Sequence, residues 1–184
     1  MMSISLLLNI VLNKTIEELR DAAKRGDEVR VQQLLAEGVN VNAEDRHGWT
    51  SLHFAATSGH TGTVQALLTA GATVDARNNK RLTPLHWASW YGYTGTVQAL
   101  LAAGADINAR EDVNWTALHQ AAYNGHPECV RVLLKAGANA VIRSNNDLPN
   151  GDKTAEGLTK QEDVLQVFQL FKGKTSGQTM VEAS

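Results

Sequence analysis

Two series of glycines share one period: Gly38, Gly71, Gly104 and Gly137 stand 33 residues apart, and so do Gly26, Gly59, Gly92 and Gly125. Thr50, Thr83 and Thr116 keep the same spacing, as do Leu52, Leu85 and Leu118, and His53, His86 and His119. No insertion breaks it between residues 26 and 137, and residues 45–77 match residues 78–110 at 18 of 33 positions. Amphipathic patterning alone does not produce that identity, so the chain is built from a duplicated unit. A period of this length constrains the fold strongly. Each unit is one supersecondary element that cannot bury its apolar face alone, so neighbours must stack.

Within one unit the residues predict two short helices. In the third unit Thr83 can cap a helix that begins at Pro84, where the missing N–H has no intrahelical partner to lose and φ is already helical. Gly92 closes that helix after about Tyr91. A second helix from about Thr94 carries Val97, Leu100 and Leu101 at helical spacing until Gly104 stops it. Between Ala105 and Trp115 lie the turn formers Asp106, Asn108, Asp112 and Asn114, which predict an extended, hairpin-like loop between helix pairs.

These units resemble ankyrin repeats. Thr83-Pro84-Leu85-His86-Trp87-Ala88 reproduces that family's signature, and the segments from Thr50 to Ala55 and from Thr116 to Ala121 match it with the proline replaced. The resemblance implies an all-α ankyrin-repeat solenoid of helix-turn-helix units over residues 15–172. An N-terminal capping repeat would take residues 15–44, three full repeats residues 45–77, 78–110 and 111–143, and a C-terminal capping repeat with a loop insertion residues 144–172. The first unit lacks the Thr-x-Leu-His start and is rich in charge, as a solvent-facing end should be. In the last unit Pro149 stands where the period expects threonine. Thr154 begins the pattern instead, so five extra residues fall between Ser144 and Lys153. The family's hairpin tip has glycine where Gly48 stands, but the equivalent residues here are Arg81 and Asn114, and the tip at Arg81 is expected to be reshaped or strained.

The two ends are read from composition. Residues 1–14 hold an apolar run, Ile4 to Leu12, about half the roughly 20 residues that span a bilayer. No Lys or Arg precedes it and no small-x-small cleavage site follows, so secretion is not expected, and Leu7, Leu8 and Val11 have the spacing to cover the apolar end of the stack. Residues 173–184 are expected to be a disordered tail.

Chemistry finds little support. Five of the six histidines fall on repeat positions, and equivalent atoms of adjacent units sit about 10 Å apart, too far to share one ion. The resemblance gives the signature histidines a structural role, bonded to backbone and to the Thr of a neighbouring unit. No metal and no cofactor is expected. The single cysteine, Cys129, excludes internal disulfides and reads as a packing residue in a reducing compartment. Gly173-Lys174-Thr175 ends like a phosphate-binding loop but lacks the loop's first glycine. A net charge of −2, from 17 basic and 19 acidic residues, removes the field on which non-specific nucleic-acid binding relies.

What remains is the set of positions where the repeats differ. The resemblance implies that partners contact the hairpin tips and the exposed ends of the first helices. Those positions hold Lys24 and Arg25, then Arg46, His47 and Trp49, then Arg77, Lys80, Leu82, Trp90 and Tyr91, and finally Arg110, Asp112, Trp115, Tyr123 and Asn124. The set is aromatic and basic at its middle, the composition of binding hot spots. Trp87, inside the signature, reads as core. The expected function is a non-enzymatic, cytoplasmic protein-binding module, monomeric alone, that takes an acidic and apolar segment of another protein. The alternatives are a regulatory or adaptor subunit, or a pathogen-type effector, of a separate enzyme complex, acting in the cytoplasm, the nucleus or a host cell, and a weak binder of anionic nucleic acid or lipid.

Overall fold

The computed structural model describes residues 4–145 and 153–178, with side chains from 12 to 145 and from 153 to 172. Among the described residues ten helices follow in pairs: α1 (Ile4–Arg25), α2 (Glu28–Ala36), α3 (Ser51–Ser58), α4 (Thr61–Thr69), α5 (Pro84–Trp90), α6 (Thr94–Ala102), α7 (Ala117–Tyr123), α8 (Pro127–Lys135), α9 (Ala155–Leu158) and α10 (Glu162–Gln178). Among the described residues there is no β-strand. The odd-numbered helices pack on one another as one layer and the even-numbered helices as a second, each pair also packing within its own unit.

The repeated leucines make the seam. Leu52, Leu85 and Leu118 of the first layer and Leu34, Leu67, Leu100 and Leu133 of the second are all buried, and Ala22, Ala55, Ala88 and Ala121 keep the helices close. The helices are too short to persist alone, so this packing rather than propensity holds them. Each full unit starts its first helix with a capping box built from threonine and histidine: in the third, the backbone N–H of Thr83 donates to Nδ1 of His86 (3.2 Å) and the hydroxyl stands 2.9 Å from it. Thr50 with His53 and Thr116 with His119 repeat this. The threonine partner therefore belongs to the histidine's own unit, not to a neighbour, because the box joins the cap to the third residue of one helix. The neighbour supplies a carbonyl: Nε2 of His53 donates to Leu82 O and Nε2 of His86 to Trp115 O, both at 3.1 Å. A carbonyl can only accept, so the proton sits on Nε2 and Nδ1 is bare.

Burial lowers the pKa of all three histidines from 6.5 to about 4, although the backbone carbonyls they meet pull it upward. The unfolded chain takes up these protons near pH 6.5 and the folded chain only near pH 4. Stability should therefore be intact above about pH 6.5 and fall as pH drops toward 4, by up to about 1.4 kcal/mol per histidine per pH unit. Urea denaturation at a series of pH values should show about three extra protons taken up on unfolding near pH 5. A stability that is level between pH 7 and pH 5 would contradict this.

A second side-chain ladder ties the loops together. Asn42 accepts from Thr73 N (2.8 Å) and donates to Gly71 O (3.1 Å), the Asp75 carboxylate accepts from Asp106 N (3.0 Å), and Asn108 accepts from Asn139 N (2.8 Å). At the hairpin tips Asp45, Asn78 and Glu111 each accept two backbone N–H bonds, from the residues two and four further on. The tip keeps one shape throughout, and Arg81 (φ 59°) and Asn114 (φ 67°) adopt the left-handed conformation that Gly48 (φ 75°) takes at no steric cost. The tip at Arg81 is thus strained rather than reshaped. Arg81→Gly should stabilise the chain by up to about 1 kcal/mol, whereas Gly48→Ala should destabilise it, since the new Cβ would stand 3.0 Å from Asn78 Cα. Denaturant midpoints of the two variants should move in opposite directions.

The ends differ from the interior. Helix α1 runs without a break from Ile4 to Arg25, so residues 4–14 extend the first helix of the first unit, while the side chains of Leu7, Leu8 and Val11 lie outside the described residues. Most of the inserted loop, residues 146–152, also lies outside them. Its flanks are joined where Ser144 N donates to Lys153 O (2.9 Å) and Lys153 N to Ser144 Oγ (3.1 Å). Thr154 then caps α9, and Val164, Val167 and Phe168 of α10 bury against the fourth unit. Helix α10 continues past residue 172 to Gln178, so the segment from 173 begins as helix and not as the disordered tail that its composition suggested. Each of the two glycines, Gly173 and Gly177, costs a helix only about 1 kcal/mol, and no proline follows them. Residues 179–184 lie outside the described residues.

Candidate binding groove

The hairpin tips and the first helices of the full units enclose a groove floored by aromatic rings. Trp49 packs on Phe54 (centroids 5.2 Å apart) and on Trp87 (4.9 Å), Trp87 stacks on Tyr91 (6.4 Å), and Tyr91 on Tyr93 (5.9 Å). Trp87 is only partly buried and belongs to this row, so its expected place in the core is corrected. On α5 the core side holds Leu85, Ala88 and Ser89, and Trp87, Trp90 and Tyr91 follow at i, i+3 and i+4 on another face. That spacing is in the sequence and could have placed Trp87 correctly.

Two adjoining clefts lie in the groove and share Lys80, Leu82 and Trp87. The smaller, about 250 Å³, reaches Trp49, His47 and Asn78. The larger, about 340 Å³, lies between the third and fourth tips and is walled by Trp90, Val113, Trp115 and Gln120. Trp90 is 36 % exposed and Tyr91 45 %, the sort of clustered apolar exposure that marks contact surfaces.

The other expected site residues divide. Lys24 and Arg25 are exposed at the end of α1, at the repeat positions of Trp90 and Tyr91, and Nε2 of His60 donates to Lys24 O (3.2 Å) as His126 does to Trp90 O (2.9 Å). Arg46 is turned onto His47 (Nε to Nε2, 3.0 Å) and Arg77 onto the carbonyl of Arg110 (3.3 Å), which in turn reaches Asn114 (3.3 Å). These guanidiniums brace the tips as well as face solvent. The ammonium of Lys80 makes no hydrogen bond or ion pair among the described residues, and the residue lines both clefts. Asp112 is exposed on the fourth tip, Tyr123 leans on Trp115 (5.2 Å), and Asn124 spends its amide on Gln120 O (2.9 Å). Trp115 is 7 % exposed and accepts the bond of His86, so it is a wall and a hairpin stem more than an exposed anchor. The sequence reading missed Gln120, which the signature pattern hides, and Asp45, Asn78 and Glu111, which share the 33-residue period but change residue type.

Cys129 is buried with its Sγ 3.2 Å from the hydroxyl of Thr94, and burial raises its pKa. Among the described residues no three His, Cys, Asp or Glu side chains gather around a metal-sized point, and no helix is long and apolar enough to cross a membrane.

A family model for ankyrin repeats matches residues 19–111 in three copies, and a single-repeat model matches residues 114–146. The chain belongs to the ankyrin repeat family. Ankyrin repeats are in general protein–protein interaction modules, typically without enzymatic activity. A search of curated proteins finds no match to the chain.

The two neighbouring tryptophans separate wall from rim. Trp115→Ala should destabilise the chain by about 3 kcal/mol as a large buried deletion, and Trp90→Ala by less than about 1 kcal/mol. Equilibrium unfolding followed by far-UV circular dichroism measures both.

Proposed function

We propose that the chain is a non-enzymatic binding module that holds an extended or helical segment of another protein in the groove between hairpin tips and first helices. The observation that carries this is the continuous row of rings from Trp49 through Trp87 to Tyr91, open to solvent and flanked by clefts. Such a row offers large contact area at low entropic cost, and Trp and Tyr dominate hot spots for that reason. The groove margin carries Arg46, Arg77, Lys80 and Arg110, so the segment is acidic as well as apolar, with the charges setting its rate of association more than its affinity. A cytoplasmic place of action agrees with the lone reduced cysteine.

The test is capture and titration. A partner recovered on the chain should bind Trp90→Ala and Tyr91→Ala more weakly than the parent, by about 2 kcal/mol for an anchor at the centre of an interface. Its affinity should change little between low and physiological salt. A partner that ignores both substitutions overturns the groove reading, and a steep salt dependence would favour phosphate contacts and thus a nucleic-acid or lipid surface.

A further inference from the structure

The residue just before each tip support is charged in four successive units. Glu44, Arg77, Arg110 and Arg143 stand 33 residues apart, and all four are exposed. Arg77 and Arg110 are set alike. Arg77 reaches the carbonyl of Arg110 (3.3 Å) and Arg110 reaches Asn114 (3.3 Å), each spending a single N–H and keeping the rest of its fork for solvent. The field of Arg77 is felt at His86 and that of Arg110 at His119, so each guanidinium stands in the same relation to the first helix of the unit it precedes. Among the described residues neither meets a carboxylate, whereas the guanidiniums of the second helix layer do: Arg30 pairs with Glu18 (2.9 Å) and Arg131 with Glu128 (3.1 Å). On a chain of net charge −2, unmatched positive charge is thus collected along one margin of the groove.

Equivalent atoms of adjacent units lie about 10 Å apart, so the row repeats its charge at that step along the stack. A matching segment must offer carboxylates on one face at the same step. A β-strand does not, since its same-face residues fall about 6.7 or 13 Å apart and every third residue points the other way. An α-helix reaches the step only at every seventh residue, so matching three units takes about fifteen helical residues. A polyproline II segment fits directly: three residues make one turn and rise about 9 Å, so every third side chain points the same way. Such segments dock in aromatic-lined grooves, and the floor here is the row from Trp49 through Trp87 to Tyr91. We propose that the groove takes an acidic segment in polyproline II conformation, with Asp or Glu at every third residue against Arg77 and Arg110. Glu44 ends the row with the opposite charge and calls for Lys or Arg three residues beyond, so the row sets the register of the segment as well as its charge. This rests on the reading of the groove as a protein-binding surface and names what that surface selects.

Synthetic proline-rich peptides of equal charge test this by titration calorimetry on the full chain, with glutamate at every second, third or fourth position and one lysine at either end of the acidic run. The every-third peptide should bind about five-fold more tightly than the other spacings, and one of its two lysine placements should be preferred. A charge swap reads the register. Arg110→Glu should bind that peptide about ten-fold more weakly and regain the parent's affinity when one particular glutamate, and no other, is replaced by lysine; a variant that regains binding is folded. Glu44→Arg should instead prefer the peptide whose lysine is changed to glutamate. Equal affinity for the three spacings, rescue by lysine at any position, or no binding of any peptide overturns the row. The groove reading survives that result if Trp90→Ala still weakens a captured partner. A helical peptide with glutamate at every seventh residue, or a single DNA strand, that binds more tightly than every proline-rich peptide also overturns the row's match to an extended acidic segment.

Discussion

A neutral histidine ring that bonds at both ends sets where everything else in the stack stands. Nδ1 of His53 and of His86 closes the first turn of its own helix, and Nε2 of the same ring holds the carbonyl at the base of the next unit's tip. The ring thus fixes the start of each first helix against the next hairpin, and those two elements bound the groove. Only the uncharged ring does this, since a protonated Nδ1 could no longer accept from the threonine N–H. Burial enforces the neutral state, so core packing and loop geometry are one constraint. His119 shows what happens where the period fails. The five-residue insertion makes Lys153 the counterpart of Trp115, and its carbonyl pulls on the ring's pKa, yet Nε2 lacks a partner within hydrogen-bond distance. The last joint of the stack is therefore the loosest of the three in this respect.

The fold was legible because its determinants are invariant in kind. Glycines at helix ends, leucines at the seam and the Thr-x-Leu-His start each do one job with one residue type, so a fixed period exposes them. The loop supports were harder to read for the opposite reason. Asp45, Asn78 and Glu111 perform the same double acceptance at the tip, and Asn42, Asp75 and Asn108 the same bridge to the next unit, but any short acceptor serves, and identity is lost while function stays. Composition alone marks such residues as turn formers without saying that they are bonded. Arg81 is a related case. Its left-handed φ is imposed by the bonds of Asn78 on either side of it, and local preference yields to them.

The groove was legible in outline and not in detail. Membership of the signature suggested core for Trp87, yet a signature fixes only the residues whose types repeat, and the fifth signature position holds Phe54, Trp87 and Gln120 in turn. A position that tolerates those three cannot be packed to one shape. The same holds for the stem position with Trp49, Leu82 and Trp115. Variation within a strict repeat is thus a sign of exposure to the groove, although Trp115 shows that a residue at such a position can be nearly buried by its neighbours.

This division of labour also explains how the stack tolerates features that lower stability. In a solenoid each unit contacts only its neighbours, so a local cost stays local and is offset by seams on either side. An exposed Trp90, a left-handed Arg81 and unpaired indole N–H groups all fall in or beside the third unit, the middle of the five. That unit is flanked on both faces by intact leucine seams and by both complete histidine joints. At either end the same features would face one neighbour instead of two. The central unit is where unsatisfied surface is best supported, and a segment held in the proposed groove would be best shielded from water there, so the two requirements would select the same residues.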